Sequence, residues 1–140
     1  MLVRSFQLSD YSSITQLLEN VLSEECYEET MSAFAKQLSW DSELVLVAVE
    51  QERVAGVIIG TIDNNNGYYY RIAVEGEFQR KGIGKAMIEA MKTRFTQRKV
   101  RKILISVDTH NEMVLPVYES VGYRAEHFTR TTHQLSIVNG

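Results

Sequence analysis

At 140 residues, 44% hydrophobic and 24% charged, the chain has the length of one domain and enough apolar residues to bury a core of its own. No apolar run approaches the ~18 residues needed to cross a bilayer, and the lone cysteine, Cys26, cannot close an internal disulfide, so a membrane-spanning protein and a disulfide scaffold are both excluded. Met1-Leu2-Val3-Arg4 lacks the apolar run of a signal peptide, and a cytoplasmic location is expected.

The net charge of −3 hides an asymmetry. Residues 19–52 carry nine acidic residues against Lys36 alone, whereas residues 79–102 carry nine basic residues against Glu89 alone. Such a division suggests one region that meets an anion and another that tolerates a cation, or two solvated helix faces of opposite sign.

Val3 to Phe6 reads as a short strand. Ser9-Asp10 then starts a helix whose apolar residues Ile14, Leu17, Leu18, Val21 and Leu22 recur with helical period, and a second helix is expected over about Glu28 to Leu38. From Leu44 the pattern changes: Leu44 to Val49 and Val54 to Ile62 are β-branched runs joined by the charged Glu50 to Arg53, as in a hairpin. Asp63-Asn64-Asn65-Asn66-Gly67 is the strongest turn signal, since Asn and Gly tolerate positive φ, and a strand follows over about Tyr68 to Val74. An amphipathic helix carries Met87, Ile88, Met91 and Phe95 on one face. Ile103 to Val107 reads as a strand, a short helix starting or kinking near Pro116 ends at Gly122, and Tyr123 to Phe128 and Thr131 to Val138 read as the last strands. The order β-α-α-β-β-β-α-β-α-β-β predicts an α/β fold, a mixed central sheet flanked by helices.

The segment richest in chemistry is Gln79-Arg80-Lys81-Gly82-Ile83-Gly84-Lys85-Ala86, where two glycines two apart enter a helix among basic residues. Without Cβ atoms the backbone N–H groups approach an anion closely, and the helix N-terminus with Arg80, Lys81 and Lys85 favours negative charge. It is neither a P-loop, which needs G-x-x-x-x-G-K-S/T, nor a dinucleotide fingerprint, because Met87 stands where the third glycine belongs.

These residues resemble the GNAT superfamily, whose Q/R-x-x-G-x-G/A motif matches Gln79, Gly82 and Gly84, and whose N-x(6)-Y-E-x-x-G-F/Y element matches Asn111 through Tyr118-Glu119-Ser120-Val121-Gly122-Tyr123. The resemblance covers about residues 44–126. It implies one N-acetyltransferase domain over 1–140 with the GNAT acyl-CoA N-acyltransferase fold, and acetyl-CoA as co-substrate. By that resemblance, Ile72, Ala73 and Val74 hold the pantetheine, Gln79 to Lys85 (Gln79, Arg80, Lys81, Gly82, Ile83, Gly84, Lys85) hold the pyrophosphate, and Asn111 and Tyr118 also contact the cofactor.

Acetyl transfer to an amine needs a neutral amine, a polarised carbonyl and a proton for the departing thiolate. The resemblance makes Tyr118 the general acid. The general base is harder to place, because relatives that acetylate ribosomal proteins carry a glutamate where Ser106 stands. Asp108, at the end of the same strand, ranks first, ahead of Glu75, Glu77 and His110. His110, His127 and His133 show no metal-ligand spacing, and no metal is expected.

Expected partners are acetyl-CoA and an amine acceptor, drawn as a cation to Glu24, Glu25, Glu28 and Glu29, with a homodimer allowed and neither membrane nor nucleic acid. The acidic chain and the scarcity of aromatics among its basic residues disfavour nucleic-acid binding. A non-catalytic acyl-CoA sensor is the alternative.

Overall fold

The computed structural model describes residues 1–130 and Ile137. β1 (Leu2–Ser5) leads into α1 (Tyr11–Val21) and α2 (Glu24–Asp41). Then β2 (Val45–Glu50), β3 (Arg53–Asp63) and β4 (Asn66–Val74) follow as a meander. α3 (Ile83–Gln97) crosses to β5 (Lys102–Val107), and α4 (Leu115–Ser120) precedes β6 (Phe128–Arg130). The strands lie side by side in chain order, antiparallel from β1 to β4 and parallel from β4 to β6. This is the mixed, helix-flanked sheet the sequence predicts.

Both faces of the sheet are buried, so β2 and β3 read as continuous apolar runs rather than alternating ones. Leu46, Ala48 and Ile58 pack with Met87, Ile88, Met91 and Phe95 of α3, while Val45, Val47, Val57 and Ile59 pack with Ile14, Leu17 and Leu18 of α1 and Phe34 of α2.

Four local expectations are corrected. α2 begins at Glu24, because Ser23 accepts the Cys26 N–H as an N-cap and Glu24 and Glu25 complement the positive end of the helix. The tight turn is Asn64-Asn65 alone, with φ of 49° and 61°. Gly67 instead belongs to β4, where a Cβ would come within 2.9 Å of the Phe95 ring. No strand starts at Tyr123, whose hydroxyl is tied 2.6 Å from that of Tyr69; a 3-10 turn (Ala125–His127) intervenes before β6. The strand expected at Thr131 to Val138 lies outside the described residues except for the buried Ile137.

The two charge blocks partly meet each other: Arg98 pairs with Asp41 and Glu43, and Arg94 donates to the Glu43 carbonyl.

The β4–β5 pairing positions the site. It runs from Asn66↔Lys102 to Tyr69↔Ile105 and stops there, while β4 stays paired with β3 as far as Val74. A register shift between Ile59 and Gly60, opposite Tyr70, bends β4 where the two strands part.

Candidate acetyl-CoA cleft and active site

A cleft of about 830 Å³ opens where β4 and β5 separate. Its walls are β4 from Arg71 to Val74, the entry to α3, the segment before α2 and the loop after β5.

Glu75 donates its N–H to the Ala55 carbonyl 2.8 Å away, so strand alternation turns Ala73 and Arg71 toward β3 and directs the N–H and C=O groups of Ile72 and Val74 away from it. The Val74 carbonyl accordingly accepts from Gln79 Nε2 at 3.0 Å, which ties the glycine loop to the strand. The loop then turns through positive φ at Arg80 (64°) and Gly82 (81°). Gly82 caps α3 without a side-chain bond to the first helical amides, leaving the Ile83, Gly84 and Lys85 N–H groups at a helix terminus that favours an anion. A Cβ on Gly82 would meet open space, and one on Gly84 would lie 3.5 Å from Val117 Cγ1 and 3.8 Å from Ile72 Cδ1. The residues therefore fit acetyl-CoA: an uncapped helix start, a loop open to the cleft, and strand amides facing away from their own sheet partner.

Of the residues expected to bind the cofactor, Ile72, Ala73, Val74, Gln79, Arg80, Gly82, Ile83, Gly84, Lys85 and Asn111 line this cleft. Lys81 does not; its ammonium lies 5.6 Å from the centre of the Phe78 ring. Asn111 is buried and already engaged. Its Oδ1 accepts the Asp108 N–H at 2.8 Å and its Nδ2 donates to the Ser106 carbonyl, so it closes the loop after β5.

Tyr118 sits on α4, which Pro116 opens in its first turn as expected. Its ring centre lies 5.1 Å from that of Tyr69, the residue is 2% exposed, and it is not among the residues that line the cleft. Burial pushes its phenol above the usual tyrosine range, against a smaller opposing pull from the Arg71 charge. The hydroxyl makes no hydrogen bond among the described residues, whereas the neighbouring Tyr69 hydroxyl bonds both Ile88 O and Tyr123.

Asp108 does not line the cleft. Its Oδ1 accepts the N–H groups of His110 (2.8 Å) and Asn111 (3.1 Å) and faces Arg71 Nη1 at 3.4 Å. It thereby holds the turn that presents His110, which does line the cleft and whose Nε2 lies 3.3 Å from Glu29 Oε2. Glu25 joins this pair, with ligand-type atoms of all three within 4.8 Å of one another. Sequence spacing could not show that grouping, because α2 supplies the carboxylates and the loop after β5 the imidazole. Glu24 and Glu28 lie exposed outside the group.

Two cleft residues were not anticipated as contributors. Cys26 is buried and its thiol is pushed up chiefly by desolvation, which disfavours a nucleophilic thiolate. Arg71 is 3% exposed, and its sequence neighbours Tyr70 and Ile72 gave no signal of its position.

A family model described as an acetyltransferase (GNAT) domain matches residues 8–139. Among solved structures, the fold is similar to the ribosomal-protein-S18-alanine N-acetyltransferase of Escherichia coli, at 21% identity and TM-score 0.68, covering 86% of this chain and 76% of that one. It is similar to the PaiA N-acetyltransferase of Thermoplasma acidophilum, solved in complex with coenzyme A, at 17% identity and TM-score 0.70, covering 88% and 89%. Ard1 of Thermoplasma volcanium matches at 20% identity and TM-score 0.71, covering 86% and 80%. No helix among the described residues is long and apolar enough to cross a membrane. With the glycine loop at an uncapped helix start, the parting of β4 from β5 and a family match over nearly the whole chain, the protein belongs to the GNAT family of acetyl-CoA-dependent N-acetyltransferases.

Proposed function

We propose that this enzyme moves the acetyl group of acetyl-CoA directly to a primary amine of a small molecule or a protein, with Tyr118 as general acid. The observation that carries the proposal is the uncapped start of α3, with Gly82 at φ 81°, opening into the same cleft as the Ile72 and Val74 edge of β4. The amides of Ile83, Gly84 and Lys85, with the Arg80 and Lys85 charges, bind the anionic end of the co-substrate. The outward-facing N–H groups of Ile72 and Val74 orient its chain and polarise its carbonyl. When bound, acetyl-CoA supplies the thioester whose acetyl group is transferred.

The acceptor nitrogen bonds to the acetyl carbon as the carbon–sulfur bond breaks. Its surplus proton passes to the His110 imidazole, and the Tyr118 hydroxyl gives a proton to the sulfur. Burial keeps that phenol protonated, and its lack of a competing hydrogen bond leaves it free to donate. Asp108, expected from sequence to be the base, is better used fixing the turn that carries His110. Glu25 and Glu29, beside His110, draw a cationic amine toward the cleft and favour the imidazolium that forms when His110 takes its proton.

Thiol release from acetyl-CoA over a panel of primary amines and peptide N-termini tests the proposal. Turnover with at least one class, abolished by Gly84→Val, is expected. Tight acetyl-CoA binding with no turnover across the panel would refute catalysis and favour an acyl-CoA sensor.

A further inference from the structure

Arg71 is the most costly side chain in the cleft wall. Its side chain is 2% exposed, so a full positive charge has been withdrawn from water. Nε donates to Thr30 Oγ1 at 3.1 Å, Nη1 reaches Asp108 Oδ1 at 3.4 Å, and the guanidinium lies 4.9 Å from the centre of the Tyr70 ring. The Tyr70 side chain adds a hydrogen bond to the guanidinium, yet the buried Nη2 is left without a partner among the described residues. The one ion pair is long, and the Asp108 oxygen that forms it is shared with two backbone N–H groups.

The side of the cleft matters too. Through Thr30, Arg71 leans on α2, and Ala73, two residues on, packs in the α1–α2 layer. Ile72 packs on the opposite side, with Ile83 and Met87 of α3. The anion-binding helix start and Arg71 therefore occupy opposite walls, leaving Arg71 to the half that receives the acceptor. A planar guanidinium in the cleft wall whose buried Nη2 has no partner among the described residues suits an oxyanion, above all a carboxylate.

We infer that Arg71 binds a carboxylate of the acceptor, so that this enzyme acts on an amine whose own molecule carries a carboxylate, an amino-acid-type substrate. The inference deepens the N-acetyltransferase proposal and rests on it. Rim carboxylates Glu25 and Glu29 and a floor cation then match the two charges of a zwitterion.

The experiment pairs each protein amino acid with its carboxamide and with the amine lacking the carboxyl group, measuring kcat/KM by thiol release from acetyl-CoA. Wild type is expected to favour the free acid about 10-fold or more for its best substrate, the range of a charge-assisted bond. Arg71→Gln should flatten that preference, and Arg71→Lys, which keeps charge but loses the fork, should retain part of it. The wild-type panel stands even where Arg71→Gln fails to fold. Equal rates on acids and carboxamides, a preference for peptide N-termini, or an acid preference that survives in Arg71→Gln would overturn the inference while leaving acetyl transfer intact. A uniform loss of kcat in Arg71→Gln across acids and amides would also overturn it, by assigning Arg71 to the acetyl group or the leaving sulfur. A second arm compares acetyl-CoA with malonyl- and succinyl-CoA; a wild-type preference for these donors that Arg71→Gln abolishes would move the carboxylate to the donor and refute the acceptor assignment. Calorimetry of the same amino acids against the CoA-bound protein reads the site without turnover. Binding that Arg71→Gln abolishes, in a protein that acetylates nothing, would support the carboxylate site and sink the catalytic proposal instead.

Discussion

Tyr118→Phe separates a chemical role from a structural one, because the hydroxyl it removes makes no hydrogen bond among the described residues while the ring it keeps fills the space beside Tyr69 and Tyr123. Removing a hydroxyl that makes no hydrogen bond among the described residues breaks none there, so the stability change should stay within about 0.5 kcal/mol, or about 2 °C in Tm. A general acid contributes about 10²-fold or more, about 2.7 kcal/mol of barrier, and kcat should fall accordingly while acetyl-CoA affinity holds. Tyr69→Phe is the matched control. Its hydroxyl donates to Ile88 O at 3.0 Å and lies 2.6 Å from the Tyr123 hydroxyl, so its loss leaves buried groups unsatisfied at a cost of about 1–3 kcal/mol, several degrees in Tm, with kcat much less affected. Single-turnover kinetics with calorimetric unfolding of both variants makes the comparison. If Tyr118→Phe kept its single-turnover rate, or lost stability as Tyr69→Phe does, Tyr118 would be a packing residue and the acid would have to be sought elsewhere.

Gly84→Val should weaken acetyl-CoA binding at least 10-fold by calorimetry with little change in Tm. Its Cβ makes ordinary contacts with Val117 and Ile72, while the added methyl groups crowd the helix start. Gly67→Ala should destabilise by about 1–3 kcal/mol in denaturant titration, because the new Cβ lies 2.9 Å from the fully buried Phe95 ring; a loss below about 0.3 kcal/mol would mean that the ring moves freely. Asp10 accepts two bonds from Arg4 at 2.8 and 2.9 Å and one from the Gln7 N–H at 2.8 Å, and the Arg4 hydrogen bond chiefly holds its carboxyl below the usual range. A lowered folded pKa adds stability above the unfolded value of about 3.9 that is lost as pH falls through the folded one. Asp10→Asn should therefore be less stable than wild type at pH 7, with the gap closing below about pH 4; a gap independent of pH would contradict the pairing.

The sheet and its helices were legible because their signals are local. Period-3.6 spacing in α1 and α3, β-branched runs in β2 and β3 and the Asn64-Asn65 turn each act within a few residues. The glycine loop at the start of α3 was legible for the same reason, since Gln79, Gly82 and Gly84 lie within six residues of one another. Contacts between distant segments were not. The Glu25–Glu29–His110 group joins α2 to the loop after β5, and the meeting of Arg71 with Thr30 spans 41 residues. Asp108 was placed at the right strand end, but no local pattern says that its carboxylate would be consumed by the His110 and Asn111 amides. The start of α2 was misjudged because Cys26, Thr30, Ala33, Phe34 and Gln37, its buried residues, make a weakly apolar stripe.

The central claim is that acetyl-CoA occupies the cleft between β4 and the start of α3. Amide chemical-shift mapping of the ¹⁵N-labelled protein during titration with acetyl-CoA tests it most directly. The account predicts the largest changes at Ile83, Gly84 and Lys85, with a second group at Ile72 and Val74 and little change along the outer hollow lined by Lys92, Lys102 and His127. Changes concentrated in that outer hollow, with the α3 amides unmoved at saturation, would contradict it.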